Sequence, residues 1–239
     1  MAANMDIVVA EWRARMLAEY RSASLASEFL SWLVRLGFSS QTLQIAHRFV
    51  GNELDHADMS FEIYSALGGE EDPADIQEGT LVIPHGFGEP CLQRIVLACL
   101  DLYCIGETLA APLFAAMQDG AAEAGPRQLL DRIVADSDNQ TALGWAVLNE
   151  TIERDAKLVT SLGKKHLPEF LARVERAWGL LPEDWVEPVG PAELRHGLIP
   201  RARYKREFYQ AVAESVLPQL DGCNLPGRPS WGKRPRDRS

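Results

Sequence analysis

The chain has 239 residues, of which 46% are hydrophobic, and a formal net charge of −10. This length suffices for one large domain or two small ones, with a sizeable core. An acidic surface argues against nucleic acid or an anionic membrane as the main partner, because both require a positively charged footprint. No apolar stretch approaches the roughly 18 residues of a membrane span, and the N-terminus lacks the pattern of a signal peptide.

The cysteines predict a reducing compartment. Three of them, Cys91, Cys99 and Cys104, fall in one apolar helical run, and none forms a Cys-x-x-Cys pair with another or with Cys223. Isolated cysteines of this kind are usually core residues of intracellular proteins. We therefore expect a cytoplasmic protein with free thiols.

The spacing of apolar residues predicts an all-α protein. Steps of three and four residues predict four long helices, over 6–36, 40–67, 90–117 and 126–162, and shorter ones over 164–178 and 201–219. A Pro-rich loop is expected over 181–191. The predicted organisation is a single domain over 1–225, with a bundle in 6–162 and accessory helices in 164–219, and a basic flexible tail over 226–239.

The second and third predicted helices are joined by an unusually long crossover, 68–88. Loops of this length are commonly functional or packed against the fold. Residues 80–84 could form a short strand or lie extended across the bundle. The crossover should help to enclose the interior, because four of its side chains need apolar cover: Leu81, Val82, Ile83 and Phe87.

The second predicted helix carries a Glu-x-x-His pair, Glu53 and His56. Residues three apart stand on one face of a helix, so this carboxylate and imidazole could bind one metal ion together. The pair could equally be a helix-surface pair, since the spacing is common. Glu19 and Glu107 strengthen the metal interpretation, because both fall on predicted apolar stripes. Buried carboxylates require a metal, protons or hydrogen-bond donors.

Several strings in these helices, taken in order, resemble bacterial ferritin-like domain proteins of the carboxylate-bridged di-metal superfamily. They are Glu19-Tyr-Arg-Ser-Ala-Ser24, Asn52-Glu-Leu-Asp-His-Ala57, Gly106-Glu-Thr-Leu-Ala-Ala111 and Ile133-Val-Ala-Asp-Ser-Asp-Asn-Gln-Thr-Ala-Leu-Gly-Trp145. The resemblance implies a ferritin-like four-helix bundle with additional C-terminal helices. It also implies an iron or manganese site with the ligands Glu19, Glu53, His56 and Glu107.

The fourth string departs from the family pattern. Ser137 and Gln140 stand where the family has Glu and His, and Asp136, which precedes the ligand position, is expected to point away from the site. By the resemblance, the first metal position keeps Glu19, Glu53 and His56, whereas the second keeps little more than Glu107. We therefore expect one iron or manganese ion per chain rather than two.

Two classes of function remain open. The chain could be an iron- or manganese-dependent oxidoreductase or oxygenase that acts on a small organic substrate. Alternatively, it could be a metal-free descendant, either a binding or structural protein or a non-redox enzyme, in which Ser137 and Gln140 donate hydrogen bonds to the glutamates. Tyr103 lies one turn from Glu107 and is either an ordinary core residue or a residue beside the ligands with a redox or proton-transfer role. His85 is the other histidine that could serve as a ligand, and the oligomeric state is left open.

Overall fold

The computed structural model describes residues 4–70, 79, 81–178 and 189–235. Within these ranges every regular element is helical, so the prediction of an all-α protein is confirmed. Residues 81–84 form no strand. The elements are α1 (Met5–Arg35), α2 (Ser40–Ala66), α3 (Cys91–Gly120), α4 (Ala124–Ala177), α5 (Pro191–Arg195), α6 (201–222) and α7 (Gly227–Lys233).

The first two helices form an antiparallel pair. Helix α1 ends where Gly37 adopts a left-handed conformation (φ 61°), which glycine tolerates without steric cost. Helix α2 then begins after Ser39, whose hydroxyl accepts a hydrogen bond from the backbone N–H of Thr42. Because the connection is short and the helices pack along their length, Glu19 of α1 lies opposite Glu53 and His56 of α2.

Helix α3 contains a feature that the sequence did not predict, a π-helical segment over Cys99–Glu107. The segment packs closely against α4 at Gly144, where a Cβ atom would lie 2.6 Å from the backbone nitrogen of Cys104. Beyond it, Leu109 and Leu113 are fully buried, whereas Ala110 and Phe114, which would continue the α-helical spacing from Tyr103, are only half-buried. Such segments are often found at functional sites.

The expectation that no stretch is long and apolar enough to span a membrane is wrong for α3. An 18-residue window of this helix has a mean hydropathy of 1.5, which meets the length and composition of a span. The same window is 67% buried inside the protein. A core helix packed on several sides has the same composition.

Helix α4 is two helices joined at Asp155, not at Gly163 as predicted. Asp155 leaves the helical conformation (φ −154°, ψ 79°), and its carboxylate accepts a hydrogen bond from the N–H of Leu158. It therefore caps the second half of α4. Gly163 is helical and buried because Leu225 packs against it, within 2.6 Å of where a Cβ would lie.

The C-terminal segment is ordered through residue 235, so the predicted flexible tail is wrong for that part. Helix α7 lies in it, and Arg234, just beyond, makes two hydrogen bonds of 2.6 and 3.0 Å to the carboxylate of Glu175. Both side chains are buried. Residues 236–239, like most of the predicted loop over 181–191, lie outside the described residues.

The described part of the crossover packs against α1. Ser24 donates a hydrogen bond to the carbonyl of Leu81, and the N–H of Ile83 donates to the carboxylate of Glu28. Ile83 is fully buried, but Val82 and Phe87 are 44% and 70% exposed, so the expected apolar cover is absent for these two. Residues 71–78 and 80 lie outside the described residues.

Candidate metal centre

Three side chains meet in the interior between α1 and α2. Glu19, Glu53 and His56 are all buried, and each offers a ligand atom within 4.8 Å of the others. Helical phase brings them together: Glu19 follows Trp12 and Met16 on the buried stripe of α1, while Glu53 and His56 are one turn apart on α2. Two carboxylates and an imidazole are a donor set that suits iron or manganese.

One nitrogen of the His56 imidazole has a hydrogen-bond partner, and the other has none. Nε2 lies 3.1 Å from Oδ2 of Asp136, whereas Nδ1 has no hydrogen-bond partner and lies 4.0 Å from Oε1 of Glu53. Burial lowers the pKa of His56, against the opposing effect of Asp136. A neutral ring that donates Nε2–H to Asp136 keeps the lone pair of Nδ1 directed at the carboxylates. This arrangement is typical of metal-ligating histidines.

The prediction that Asp136 points away from the site is wrong. Asp136 stands three residues after Ile133 and four before Gln140, which are both buried, so it belongs to the same face of α4. Its carboxylate also forms a salt bridge with Arg132, whose Nε lies 2.7 Å from Oδ2. Arg132 in turn lies 3.4 Å from Asp55, at the edge of a surface cavity. His56 is thus linked to the surface through a short polar chain that was not expected from the sequence.

Burial favours the protonated forms of the two triad carboxylates. Burial raises the pKa of Glu19 well above its usual range, and the charges of Glu53 and Glu107 raise it further. Burial also raises the pKa of Glu53 to about 6, although hydrogen bonds from Ser22, Gln140 and Glu19 oppose this effect. The stronger shift favours protonation of Glu19, whose carboxyl can then donate a hydrogen bond to Glu53. A metal ion would have to displace this proton.

The remaining predicted site residues differ in whether they interact with Glu53. Glu107 is outside the triad, but its pKa is raised by burial and by the charge of Glu53. Gln140 donates a 2.5 Å hydrogen bond from Nε2 to Oε1 of Glu53. Ser137 instead donates to the carbonyl of Val134 in its own helix, so its predicted hydrogen bond to the glutamates is not formed.

Tyr103 borders the cluster from α3. Its ring stacks on Phe29 at 4.5 Å and meets Phe49 edge-on at 5.5 Å, and its hydroxyl has no hydrogen-bond partner. Burial, followed by the charges of Glu107 and Glu53, raises the pKa of Tyr103 well above its usual range. The phenol therefore stays protonated and presents an unused donor on the carboxylate side of the core.

His85 does not join the centre. Its Nε2 lies 2.6 Å from Oδ2 of Asp101, and the same carboxylate is in contact with Arg173. Burial, together with the positive charge of Arg173, lowers the pKa of His85 to about 4. This second buried polar group connects the crossover, α3 and the second half of α4.

Comparison with known proteins gives no family assignment. No family model matches the chain, and no curated protein and no solved structure matches it either. The resemblance to ferritin-like proteins therefore rests on the order and spacing of the four strings.

Proposed function

We propose that this chain is a ferritin-like metalloprotein that binds one iron or manganese ion through Glu19, Glu53 and His56. The observation that carries the proposal is the Nδ1 of His56, which is fully buried without a hydrogen-bond partner and lies 4.0 Å from Oε1 of Glu53, in a cluster that also includes Glu19. A buried polar atom without a partner is costly, and a cation would satisfy it together with both glutamates. The proposed reaction is an oxidation or oxygenation of a small organic substrate.

Ligand count supports one ion rather than two. One divalent cation balances the charges of Glu19 and Glu53 when both are ionised. A second cation would have Glu107 and few other side chains as ligands. Gln140 uses its amide N–H on Glu53, and Ser137 bonds within its own helix. Neither of them rebuilds the lost Glu-x-x-His pair.

The bound metal would supply redox chemistry with oxygen, and the surrounding residues would prepare the site for it. Asp136 holds the His56 ring in the tautomer that leaves Nδ1 free. Glu19 would have to release its proton to serve as a ligand. All three ligand side chains are buried, so the protein shields them from water. Exclusion of water strengthens the electrostatic interactions inside the site.

Metal analysis of purified protein tests the proposal. Protein produced with excess iron or manganese should contain about one ion per chain, and His56→Ala should remove it. The matched control is His47→Ala, because His47 is an exposed histidine on the same helix. Ser137→Glu combined with Gln140→His should raise the content toward two. Two ions in the wild-type protein would contradict the ligand assignment, and none would contradict the proposed function.

A metal-free binding protein is the second candidate, and one observation favours it. Glu53 already accepts hydrogen bonds from Gln140 and Ser22 as well as from protonated Glu19, so the cluster has internal partners. In that case Glu19→Gln should leave the unfolding free energy unchanged or higher, and added manganese should not raise the unfolding temperature. If manganese stabilises the wild-type protein but not Glu19→Gln, this candidate is excluded.

A further inference from the structure

Arg132 of α4 contacts the carboxylate that orients His56. Its Nε lies 2.7 Å from Oδ2 of Asp136, and the same oxygen lies 3.1 Å from Nε2 of His56. One carboxylate oxygen therefore lies between a permanently charged guanidinium and a proposed metal ligand. Arg132 cannot itself be a ligand, because a guanidinium has donors and no acceptor.

A second contact holds the guanidinium from α2. Nη2 of Arg132 lies 3.4 Å from Oδ2 of Asp55, the residue that precedes His56. The guanidinium thus joins the helix that supplies His56 to the helix that supplies Asp136. Because its donors form a rigid planar fork, contact with two carboxylates at once restricts the orientation of the guanidinium and of both acids.

Asp136 depends on such a partner because the protein does not enclose it. Its side chain is 18% exposed, whereas that of His56 is fully buried. Without Arg132, the carboxylate could turn toward water, and the Nε2–H of His56 would lose its acceptor. A buried donor without an acceptor is costly. The ring would then favour the tautomer whose proton is on Nδ1, the nitrogen that lies nearest to Glu53.

We propose that Arg132 is a positioning residue of the metal centre, which holds the Asp136 carboxylate on Nε2 of His56 and so keeps Nδ1 available to the metal. This inference rests on the proposed function for the metal, but the effect on the tautomer of His56 does not require one. Net charge predicts the opposite effect of removing Arg132, since the loss of a positive charge favours a nearby cation. The sign of the change in metal affinity therefore separates positioning from net charge.

Arg132→Ala should weaken manganese binding about three- to fivefold, the size expected for the loss of a partly exposed ion pair. It should also increase the fraction of His56 that carries its proton on Nδ1. Competition with a fluorescent chelator gives the affinity, and the nitrogen NMR shifts of the imidazole in metal-free protein give the tautomer. Arg132→Lys should recover part of both, because the ammonium keeps the charge without the fork. Unchanged or tighter manganese binding, or an unchanged tautomer, would overturn the inference.

The matched control is Arg127→Ala. Arg127 pairs with Asp131 four residues later at 2.8 Å, just as Arg132 pairs with Asp136, and the two arginine side chains are 47% and 48% exposed. The control removes the same charge and an equivalent ion pair. Asp131 is bonded to Arg127 and Gln118 rather than to His56, so manganese affinity and tautomer should stay those of the wild type. Equal losses in the two alanine variants would contradict a positioning role.

Rescue by free guanidinium tests the geometry directly. Arg132 lines a surface cavity of about 430 Å³, so its truncation leaves room for a guanidinium ion near Asp55. Guanidinium at non-denaturing concentration should restore manganese affinity and the Nε2–H tautomer in Arg132→Ala, and methylammonium at equal ionic strength should restore less. A variant that is only damaged structurally would respond to neither. Equal recovery with both cations, or recovery with neither, would contradict the positioning role.

The two proposals can fail separately. A wild-type protein that binds no manganese contradicts the proposed metal centre, and the tautomer of His56 in the metal-free variants still decides whether Arg132 orients the ring. Manganese binding with an affinity and a tautomer that do not respond to Arg132 contradicts the positioning role alone.

Discussion

His56 Nε2 lies 3.1 Å from Asp136 Oδ2, and this contact determines which imidazole nitrogen faces the carboxylates. If Asp136 accepts the Nε2 proton, Nδ1 keeps the lone pair that a metal requires. Without this carboxylate, the ring could bind its proton on Nδ1 and donate to Glu53 instead. The metal-binding competence of the triad therefore depends on a residue of α4 that need not touch the metal.

Asp136→Asn should lower the affinity for manganese or iron by about 10- to 100-fold. The amide can donate to Nε2 and thus favour the tautomer whose proton is on Nδ1. Competition with a fluorescent chelator measures the affinity, and circular dichroism verifies that the variant is folded. Asp138→Asn is the control, because Asp138 lies on the exposed face of the same helix. Equal losses in both variants would show that helix charge, and not the contact with His56, causes the effect.

Glu53→Gln should change the pH dependence of stability in the metal-free protein. The folded state raises the pKa of Glu53 from 4.5 to about 6, so it binds the proton more tightly than the unfolded chain. The wild type therefore loses stability as the pH rises from 4.5 through 6, by about 2 kcal/mol. Glutamine cannot ionise, so the stability of the variant relative to the wild type should increase by about this amount between pH 4 and pH 7.

Urea unfolding in the presence of a chelator measures that difference, and Glu62→Gln, an exposed position of α2, controls for the lost charge. With manganese present the order should reverse at pH 7, because the variant lacks a ligand. A relative stability of Glu53→Gln that stays constant from pH 4 to pH 7 would show that Glu53 is not the titrating group.

Arg234→Gln should destabilise the protein by about 3 kcal/mol, because it leaves the carboxylate of Glu175 buried without its cation. Glu175→Gln introduced into this variant should recover part of the loss, since a neutral amide is less costly to bury. The exposed pair of Arg228 and Asp221 provides the control, and Arg228→Gln should cost less than about 1 kcal/mol. Similar losses for both arginine variants would contradict a special role for the buried pair.

The triad could be found in the sequence because its spacing is regular. Glu53 and His56 are one turn apart, and Glu19 continues an apolar stripe, so α-helical phase alone brings them inward. Asp136 was also within reach of the same rule, since Ile133 and Gln140 flank it at three and four residues. The phase of the ligand string, in which Asp136 precedes the ligand position, predicts the opposite orientation.

Other features leave no local signal in the sequence. The π-helical segment of α3 changes the residues per turn without a change in composition, so the buried stripe beyond it shifts to Leu109 and Leu113. The C-terminal segment has the basic composition of a flexible tail. It nevertheless packs back onto the fold, where Arg234 bonds to Glu175, 59 residues earlier in the chain. Pairings over such distances are set by tertiary packing, which periodicity does not report.

Gly144→Ala should be among the most destabilising single-methyl additions, because α4 and the π-helical segment approach each other at this glycine. The new Cβ would lie 2.6 Å from the nitrogen of Cys104 and from the carbonyl carbon of Tyr103, and neither backbone atom can move without shifting α3. Overpacking of a core typically costs about 1–3 kcal/mol, and a backbone clash should fall at the upper end.

The matched control for this substitution is Gly51→Ala. Gly51 is also inside a helix, but it is exposed, and no atom lies within 4 Å of the position that a Cβ would occupy there. Alanine at this position should stabilise α2 by about 0.5–1 kcal/mol, because it lowers the entropy lost on folding. Urea unfolding of both variants gives the comparison. If Gly144→Ala is as stable as the wild type, α3 and α4 do not approach as closely as this contact requires. Because Tyr103 lies at the same contact, a folded Gly144→Ala protein should also bind manganese more weakly than Gly51→Ala.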